Sequence, residues 1–316
     1  MMKEKNRLLI LSKNSAQYAE LIEKHDFSGL EFIVCDRAGE AETHAENCNI
    51  ILGEPDRIAP VLDVAENLQW IQSTYAGVET FITPSQRTDY LLTGVRDLFG
   101  PLMSEYVFAY ILAFERNILQ TYENQQERLW QDMPYKSLKG TLLGICGLGS
   151  IGRHIALTGK HFGMEVWGYK RSDEVVPGID RLFTQTGFRD FSAHPDYIVI
   201  TLPHTPESFH LFDYASFQAM KRSAIFINVG RGPVVSESAL ARALEEELIR
   251  GAVLDVFEEE PLPKDSNLWG LPNVFITPHN SAYSFPEDVV DIFAENYRLF
   301  VTGKPLKYVV DFERGY

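Results

Sequence analysis

Short apolar runs alternate with helical patterns through the first hundred residues of the chain. Five runs are typical of strands in a parallel sheet, and most of them have a helical pattern between them. These runs cover residues 8–11, 31–35, 49–52, 68–73 and 90–93. The pattern predicts a small α/β domain at the beginning of the sequence.

A pair of residues that breaks regular structure, Gly100-Pro101, follows this domain and precedes a long apolar helix. The helix is predicted to run from about residue 102 to residue 127, and its first half is apolar around most of its circumference. Such a helix is either buried between domains or covered by a second subunit. The second alternative predicts a homodimer through the 102–127 region.

A second α/β series begins at Thr141 and predicts another doubly wound parallel sheet. Its strands are expected at residues 141–146, 164–169, 196–201, 223–229, 251–256 and 273–277. One of the intervening helices covers 236–248, where Ser236 can cap the first turn. A last helix at 285–300 precedes a tail, 306–310, that is expected to return to the first domain as a strand or a docked segment.

The fold class is therefore α/β, with the second domain inserted into the first. The predicted boundaries are 1–99 for the first part of the first domain, 100–282 for the inserted domain, and 283–316 for the returning segment.

The formal charge of −15 argues against nucleic acid or an anionic membrane as a partner. Cys35, Cys48 and Cys146 lack the spacing of metal ligands, so reduced thiols and no metal site are expected. The sequence starts with only a very short apolar run, which indicates a first strand rather than a signal peptide, and no apolar stretch approaches the length of a membrane span. These features predict a cytoplasmic protein.

A glycine-rich turn, Gly147-Leu-Gly149-Ser-Ile-Gly152, follows an apolar run and opens a helical pattern. The order strand, turn, helix is what a dinucleotide site requires. Gly147 permits the tight turn, Gly149 lets the backbone approach a pyrophosphate, and Gly152 allows close packing of helix on strand. The start of the helix offers unpaired N–H groups to the anion.

Three polar residues follow the ends of three successive predicted strands: Arg231, Glu260 and His279. Open α/β sheets bind their ligands at the carboxyl ends of the strands. Each residue alone is easily explained as a surface or structural group. Together, beside a dinucleotide fingerprint, they predict a catalytic site.

The sequence resembles the D-isomer-specific 2-hydroxyacid dehydrogenases over nearly its whole length, most strongly from Gly140 to Ala282. The matching motifs are Met220-Lys221 and the segments 228–235, 254–263 and 277–279. The resemblance implies a flavodoxin-like substrate domain, an inserted Rossmann domain for NAD(P), and an active site in the cleft between them. It also implies a homodimer in many members.

The motifs themselves and the resemblance together give the residues expected to bind the ligands. Those expected to bind the cofactor are Gly147, Gly149, Ser150, Ile151, Gly152, Lys170, Arg171, Ser172, Leu202, Pro203, Val229, Gly230, Arg231, Asp255 and His279. Those expected to bind the substrate are Tyr75, Ala76, Gly77, Arg231, His279 and Tyr283. In the loop at 75–78, backbone N–H groups would hold the substrate carboxylate.

The chemistry fits these residue types. His279 is expected to be the general acid in reduction of a 2-oxo acid and the base in the reverse direction. Glu260 would orient the ring and favour imidazolium, and Arg231 would bind the carboxylate and polarise the ketone. The resemblance implies that Asp255 contacts the nicotinamide carboxamide or tunes the His–Glu pair, and the alternative is a structural carboxylate at a strand end. Glu260 also argues against formate dehydrogenase, a relative with Gln at that position.

The expected position of a ribose-binding carboxylate carries Lys170, Arg171 and Ser172 instead. Two positive charges and a hydroxyl suit the 2′-phosphate of NADP, which a carboxylate would repel. NADP(H) is therefore the preferred cofactor and NAD(H) a possible one. The alternative is that these are exposed charges, partly neutralised by Asp173 and Glu174.

The resulting hypothesis is a reductase of small 2-oxo acids, with glyoxylate and hydroxypyruvate as leading substrates. One alternative is a phosphoglycerate dehydrogenase-like enzyme. Its larger substrate would need additional basic residues near the first-domain loops, where Arg57 is the candidate. The other is a non-enzymatic sensor of NAD(P) on the same fold, which would not need an acid–base pair.

Overall fold

The chain forms two compact units in a computed structural model that describes residues 5–82 and 87–313. Unit 1 comprises Met1–Leu98 and Ser284–Tyr316, and unit 2 comprises Phe99–Tyr283. Each boundary lies one residue from the predicted one. The predicted class, two doubly wound parallel α/β sheets, is confirmed.

Unit 1 is built on a five-stranded parallel sheet in the order β2-β1-β3-β4-β5. The strands are β1 (Asn6–Leu11), β2 (Leu30–Cys35), β3 (Ile50–Gly53), β4 (Trp70–Ser73) and β5 (Leu91–Thr93). Helices α1 (Ser15–Glu23), α2 (Ala38–Ala45) and α3 (Pro55–Ile58) connect the first strands. The strands consist mostly of fully buried residues, as expected for a parallel sheet covered on both faces.

The returning segment completes unit 1. Helix α10 (Pro286–Phe300) packs on this unit, where Phe293 stacks on Trp70 with 5.1 Å between the ring centroids. The tail then reaches the edge of the sheet, because Val310 N donates to Leu92 O at 2.8 Å and Val309 forms an isolated antiparallel bridge with Thr93. The tail is thus a docked segment with a single bridge rather than a full strand.

Unit 2 contains a seven-stranded sheet in the order β12-β11-β10-β9-β6-β7-β8, and all of its pairs are parallel. The strands are β6 (Leu142–Cys146), β7 (Glu165–Tyr169), β8 (Arg181–Phe183), β9 (Tyr197–Ile200), β10 (Ile225–Asn228), β11 (Gly251–Leu254) and β12 (Val274–Ile276). The helices are α4 (Phe99–Glu115), α5 (Ile118–Gln126), α6 (Ser150–His161), α7 (Phe188–Ala193), α8 (Tyr214–Ala219) and α9 (Glu237–Glu245). Strand order reverses between β6 and β9, which is where such sheets bind ligands.

The predicted helix at 102–127 is two helices, and this prediction was wrong in both its start and its continuity. Helix α4 begins at Phe99, because a proline such as Pro101 is tolerated in the first turn, where its missing N–H has no acceptor to lose. The helix stops before Asn117, whose φ of 50° is left-handed and ends regular helix geometry. One face of α4, including Val107, Phe108 and Ile111, is buried in unit 2.

Two smaller differences concern unit 2. The short edge strand β8 was missed, because its three residues carry too little apolar pattern to be distinguished from a loop. Helix α9 ends at Glu245 rather than at 248, and Ser236 at its N-cap position makes no side-chain capping bond. Instead, Glu258 accepts a hydrogen bond from the backbone N–H of Glu237 at 2.7 Å.

Among residues 5–82 and 87–313, no helix combines the length and apolar character needed to cross a bilayer.

Candidate active site

The glycine turn of unit 2 joins the end of β6 to the start of α6. Gly147 has a φ of 107°, a conformation that favours glycine. A Cβ on Gly152 would lie 2.0 Å from Gly147 O, so only glycine allows this close approach of helix and turn. A Cβ on Gly149, by contrast, would meet no protein atom within 4 Å.

The turn therefore leaves open space beside Gly149 at the N-terminus of a twelve-residue helix. The first turn of α6 contains Ser150 and Ile151 and no acidic residue, so its unpaired N–H groups and helix dipole favour an anion. These features fit the pyrophosphate of a dinucleotide.

Lys170, Arg171 and Ser172 follow β7, the strand next to β6 in the sheet. Lys170 Nζ donates to Glu174 Oε2 at 3.1 Å, and the Lys170 side chain is only 15% exposed. The hydrogen bond from Lys170 lowers the pKa of Glu174. Arg171 lies within electrostatic reach of Glu207. The three residues thus follow one another at the strand end, where Lys170 pairs with Glu174.

The turn after β10 carries Arg231 and is held by its neighbours. Gly230 N donates to Asn228 Oδ1 at 3.1 Å, and Asn228 Nδ2 donates to Arg231 O at 3.2 Å. A Cβ on Gly232 would lie 1.9 Å from Phe257 C and O, so this turn packs directly on the segment after β11. Arg231 Nη1 also donates to Gly230 O at 2.8 Å. The backbone that presents the guanidinium is therefore tightly fixed.

Glu260 and His279 form a hydrogen-bonded pair. His279 Nδ1 lies 2.7 Å from Glu260 Oε2, and the other carboxylate oxygen accepts from Phe257 N at 3.0 Å. The side chains are 52% and 36% exposed, so both remain accessible to a ligand. Because Nδ1 is engaged by Glu260, Nε2 is the ring nitrogen left to exchange a proton with a substrate.

The electrostatics of the pair follow from this geometry. The hydrogen bond that His279 donates to Glu260 raises the pKa of His279, although burial and the charge of Arg231 oppose the rise. Burial acts to raise the pKa of Glu260, but hydrogen bonds from His279 and Phe257 N outweigh it, and the net pKa is lowered. The pair therefore favours imidazolium beside carboxylate.

Asp255 is fully buried at the end of β11 and organises the loop that carries His279. Its Oδ1 accepts from Thr277 Oγ1 at 2.6 Å and from Asn280 N at 2.8 Å, and its Oδ2 accepts from Ser281 N at 3.0 Å. Its charge also raises the pKa of His279, as a smaller contribution than that of Glu260. Both the structural role and the tuning role considered for Asp255 are consistent with these contacts.

The predicted substrate loop lies in unit 1, after β4. Tyr75 N donates to Ser73 Oγ at 3.0 Å, so the N–H of Tyr75 is already used within the unit. Among the described residues no acceptor occurs for the N–H of Ala76 or Gly77. Lys13, after β1, forms a side-chain hydrogen bond with the Tyr75 hydroxyl. A carboxylate-binding role for this loop therefore depends on Ala76 and Gly77.

The other predicted site residues lie at the carboxyl ends of the strands of unit 2 or just beyond them. Leu202 and Pro203 follow β9, Val229 and Gly230 follow β10, and Tyr283, which is 47% exposed, lies four residues after His279. In the described parts of the chain, no group of three or more His, Cys, Asp or Glu side chains is arranged to hold a metal ion.

Sequence reasoning missed three supporting residues. Asn228 and Thr277 stand inside motifs that were recognised, but only their hydrogen bonds reveal that they fix the Arg231 and His279 loops. Lys13 gave no signal, since a single lysine after a first strand is usually a surface residue.

Comparison with known proteins identifies relatives of both units. Residues 108–281 match the family model described as "D-isomer specific 2-hydroxyacid dehydrogenase, NAD binding domain". A crystal structure of a D-isomer-specific 2-hydroxyacid dehydrogenase family protein from Aeromonas salmonicida is 47% identical, with a TM-score of 0.95 over 98% of this chain and 100% of that one. The NADPH-dependent glyoxylate/hydroxypyruvate reductase from Sinorhizobium meliloti, solved with NADP and sulfate, is 28% identical, with a TM-score of 0.87 over 99% of this chain and 100% of that one.

Two curated relatives carry different substrate names. Glyoxylate/hydroxypyruvate reductase A from Yersinia enterocolitica is 33% identical over 68% of this chain and 68% of its own length. D-3-phosphoglycerate dehydrogenase from Methanocaldococcus jannaschii is 32% identical over 70% of this chain but only 43% of its own length.

Proposed function

The chain belongs to the D-isomer-specific 2-hydroxyacid dehydrogenase family, and we propose that it reduces small 2-oxo acids, glyoxylate and hydroxypyruvate foremost, with NADPH preferred. The family resemblance noted in the sequence is confirmed, and the protein is an oxidoreductase that acts on the CH–OH group of its donors. The main support for the proposal is the hydrogen bond between His279 Nδ1 and Glu260 Oε2, which are 2.7 Å apart. Arg231 is close enough for its charge to act on the pKa of His279.

The proposed roles follow from the atoms available. When bound, the nicotinamide cofactor supplies the hydride. In reduction, the imidazolium of His279 donates the Nε2 proton to the carbonyl oxygen, and Glu260 holds the ring through Nδ1. In oxidation, Nε2 accepts that proton. Arg231 offers a planar fork for a carboxylate and, by its positive charge, favours the developing negative charge on the substrate oxygen.

A panel of 2-oxo acids, followed by loss of NADPH absorbance, tests the activity. His279→Ala should remove most turnover and leave NADPH affinity nearly unchanged, because the residue moves a proton rather than holding the phosphates. A wild-type protein that binds NADPH tightly but turns over none of the acids would favour the sensor alternative.

The cofactor preference is supported by the cluster that follows β7. Lys170 and Arg171 supply positive charge at the strand end, and Ser172 adds a hydroxyl. The Sinorhizobium meliloti relative is named as NADPH-dependent and was solved with NADP. Arg171→Ala should lower kcat/KM for NADPH more than for NADH, whereas Arg189→Ala, an exposed arginine on α7, should change neither. An unchanged ratio in Arg171→Ala would refute the assignment.

The substrate preference is supported by the state of Arg57. Its Nε lies 3.7 Å from Glu54 Oε2, and its Nη1 donates to Asp36 O, so this basic candidate for a substrate phosphate is already engaged. The phosphoglycerate alternative keeps the support of the 32% identical relative. Including 3-phosphoglycerate, with NADP and NAD, in the panel separates the two: it should be oxidised far more slowly than glycolate or D-glycerate.

We also propose a homodimer that uses the 102–127 region. Helix α5 exposes Ile118, Leu119 and Tyr122 by 51%, 53% and 60%, an apolar face of the kind that subunit contacts cover. Leu119→Glu should convert a dimer to monomers in analytical ultracentrifugation, and a monomeric wild-type protein would contradict the proposal. A cytoplasmic location stays a prediction, supported by three free and buried cysteines.

A further inference from the structure

We propose that Tyr106, on α4, is a positioning residue for the His279 loop, acting through a hydrogen-bond relay from its hydroxyl through Thr277 to Asp255. The inference rests on the proposed function, in which His279 transfers a proton. Tyr106 was not among the predicted site residues, and nothing in the sequence motifs points to it.

The His279 loop needs an external support because its backbone is unusual. His279 has a φ of 51°, in the left-handed region that residues with a side chain rarely adopt. Its own N–H donates to Asp255 O at 2.9 Å and to Thr277 O at 3.1 Å. The two following N–H groups, of Asn280 and Ser281, donate to the Asp255 carboxylate. The orientation of the imidazole therefore depends on where Asp255 and Thr277 are held.

Tyr106 supports Thr277 from the helix side. The Tyr106 hydroxyl lies 2.6 Å from Thr277 Oγ1, which lies 2.6 Å from Asp255 Oδ1. One turn before Tyr106, Met103 Sδ accepts from Ser281 Oγ at 3.2 Å. Residues of α4 thus contact both ends of the segment 277–281, on either side of His279.

The direction of the hydrogen bonds in this relay is set at the Asp255 end. Thr277 Oγ1 donates its single proton to Asp255 Oδ1, which also accepts from the N–H of Asn280. Thr277 Oγ1 then has only lone pairs for Tyr106, and Tyr106 must be the donor. Burial raises the pKa of the Tyr106 hydroxyl, which keeps it protonated as this role requires.

The first test removes the donor alone. Tyr106→Phe keeps the ring, which packs 4.7 Å from that of Tyr110, and deletes only the hydroxyl. Loss of the hydroxyl that bonds Thr277 Oγ1 should lower kcat about three- to tenfold, with KM for NADPH within about twofold of wild type. Tyr135→Phe, which removes the hydroxyl of an exposed tyrosine, is the matched control and should be neutral. A Tyr106→Phe variant with wild-type kcat would overturn the proposal.

The second test separates a relay from simple packing. Thr277→Val should lower kcat about tenfold or more, because it removes both the donor to Asp255 and the acceptor of Tyr106, and Thr277→Ser should restore most of the rate. If Tyr106 acts through Thr277, the double variant Tyr106→Phe/Thr277→Val should be no slower than Thr277→Val. A double variant whose loss equals the product of the two single losses would refute the relay.

A third measurement keeps this inference distinct from the proposed function. The His279 ring can be titrated by NMR without substrate, its signal being assigned by its loss in His279→Gln. A loosened loop weakens the bond to Glu260, so Tyr106→Phe should move the pKa of His279 down toward its ordinary value. If the wild-type protein reduces no 2-oxo acid, the proposed function fails while this titration still decides the relay, and an unchanged titration would reject it.

Discussion

The charge on Glu260 should set the pH range in which the enzyme works in each direction. Glu260→Gln keeps the size of the side chain and a possible hydrogen bond to His279 Nδ1, but it removes the negative charge 2.7 Å from that nitrogen. The raised pKa of His279, whose largest cause is this bond, should then fall. Glu259→Gln, which removes the same charge from a neighbouring exposed residue, is the control.

The size of the effect can be worked from the geometry. Both side chains are more than a third exposed, so water screens their interaction. Two unit charges about 3 Å apart in a medium like water attract by ~1.4 kcal/mol. That energy corresponds to about one pKa unit.

The assay is kcat/KM against pH in both directions. Reduction needs imidazolium, so its rate falls as pH rises through the His279 pKa, and in Glu260→Gln this limb should lie about one unit lower. Oxidation needs the neutral ring, so its rising limb should also move to lower pH. A limb that stays in place, or moves equally in Glu259→Gln, would show that Glu260 does not tune the histidine.

Three further outcomes are expected. Gly232→Ala should lower kcat/KM about a hundredfold, because the new Cβ would meet Phe257 C and O at 1.9 Å and displace the Arg231 turn. The control is Gly270→Ala, whose new Cβ would meet no atom within 4 Å and which should be neutral in the same assay. Phe293→Ala should destabilise unit 1 by about 3–5 kcal/mol in denaturant unfolding, because the side chain is fully buried; a cost below about 1 kcal/mol would contradict its place in the core. Because the pKa of His279 is raised in the folded state, its pairing with Glu260 stabilises the fold below pH ~6.5, and this stabilisation is lost as pH rises through the folded pKa. His279→Gln should therefore lower Tm more at pH 6 than at pH 9. An equal loss of Tm at both pH values would refute the linkage.

Most of the fold could be predicted from the sequence because parallel strands appear in it as short, nearly continuous apolar runs. All five strands of unit 1 and six of the seven in unit 2 begin within two residues of their predicted starts. The failures occurred where local pattern carries little information. The three residues of β8 are too few to show a pattern, and the break at Asn117 interrupts a segment that is otherwise helical throughout.

The candidate site divides in the same way. Arg231, Glu260 and His279 could be identified as candidates because each follows a strand whose carboxyl end must reach one edge of the sheet. The sequence predicted that Glu260 orients the ring of His279, but the 2.7 Å distance between the two side chains depends on how their loops fold. The support from Tyr106 could not be foreseen, because it joins positions 106 and 277 through side chains alone.

The position of α10 has a consequence for the order of events during synthesis. Trp70 acquires its stacking partner Phe293 only after unit 2, which lies between them in the chain, has left the ribosome. Unit 2 is continuous in sequence and can form its core as soon as it emerges, whereas the sheet of unit 1 must wait with its apolar face uncovered. We therefore expect a nascent chain arrested before Pro286 to contain a native unit 2 and an aggregation-prone unit 1. Chaperones should bind this chain mainly at the residues around Trp70.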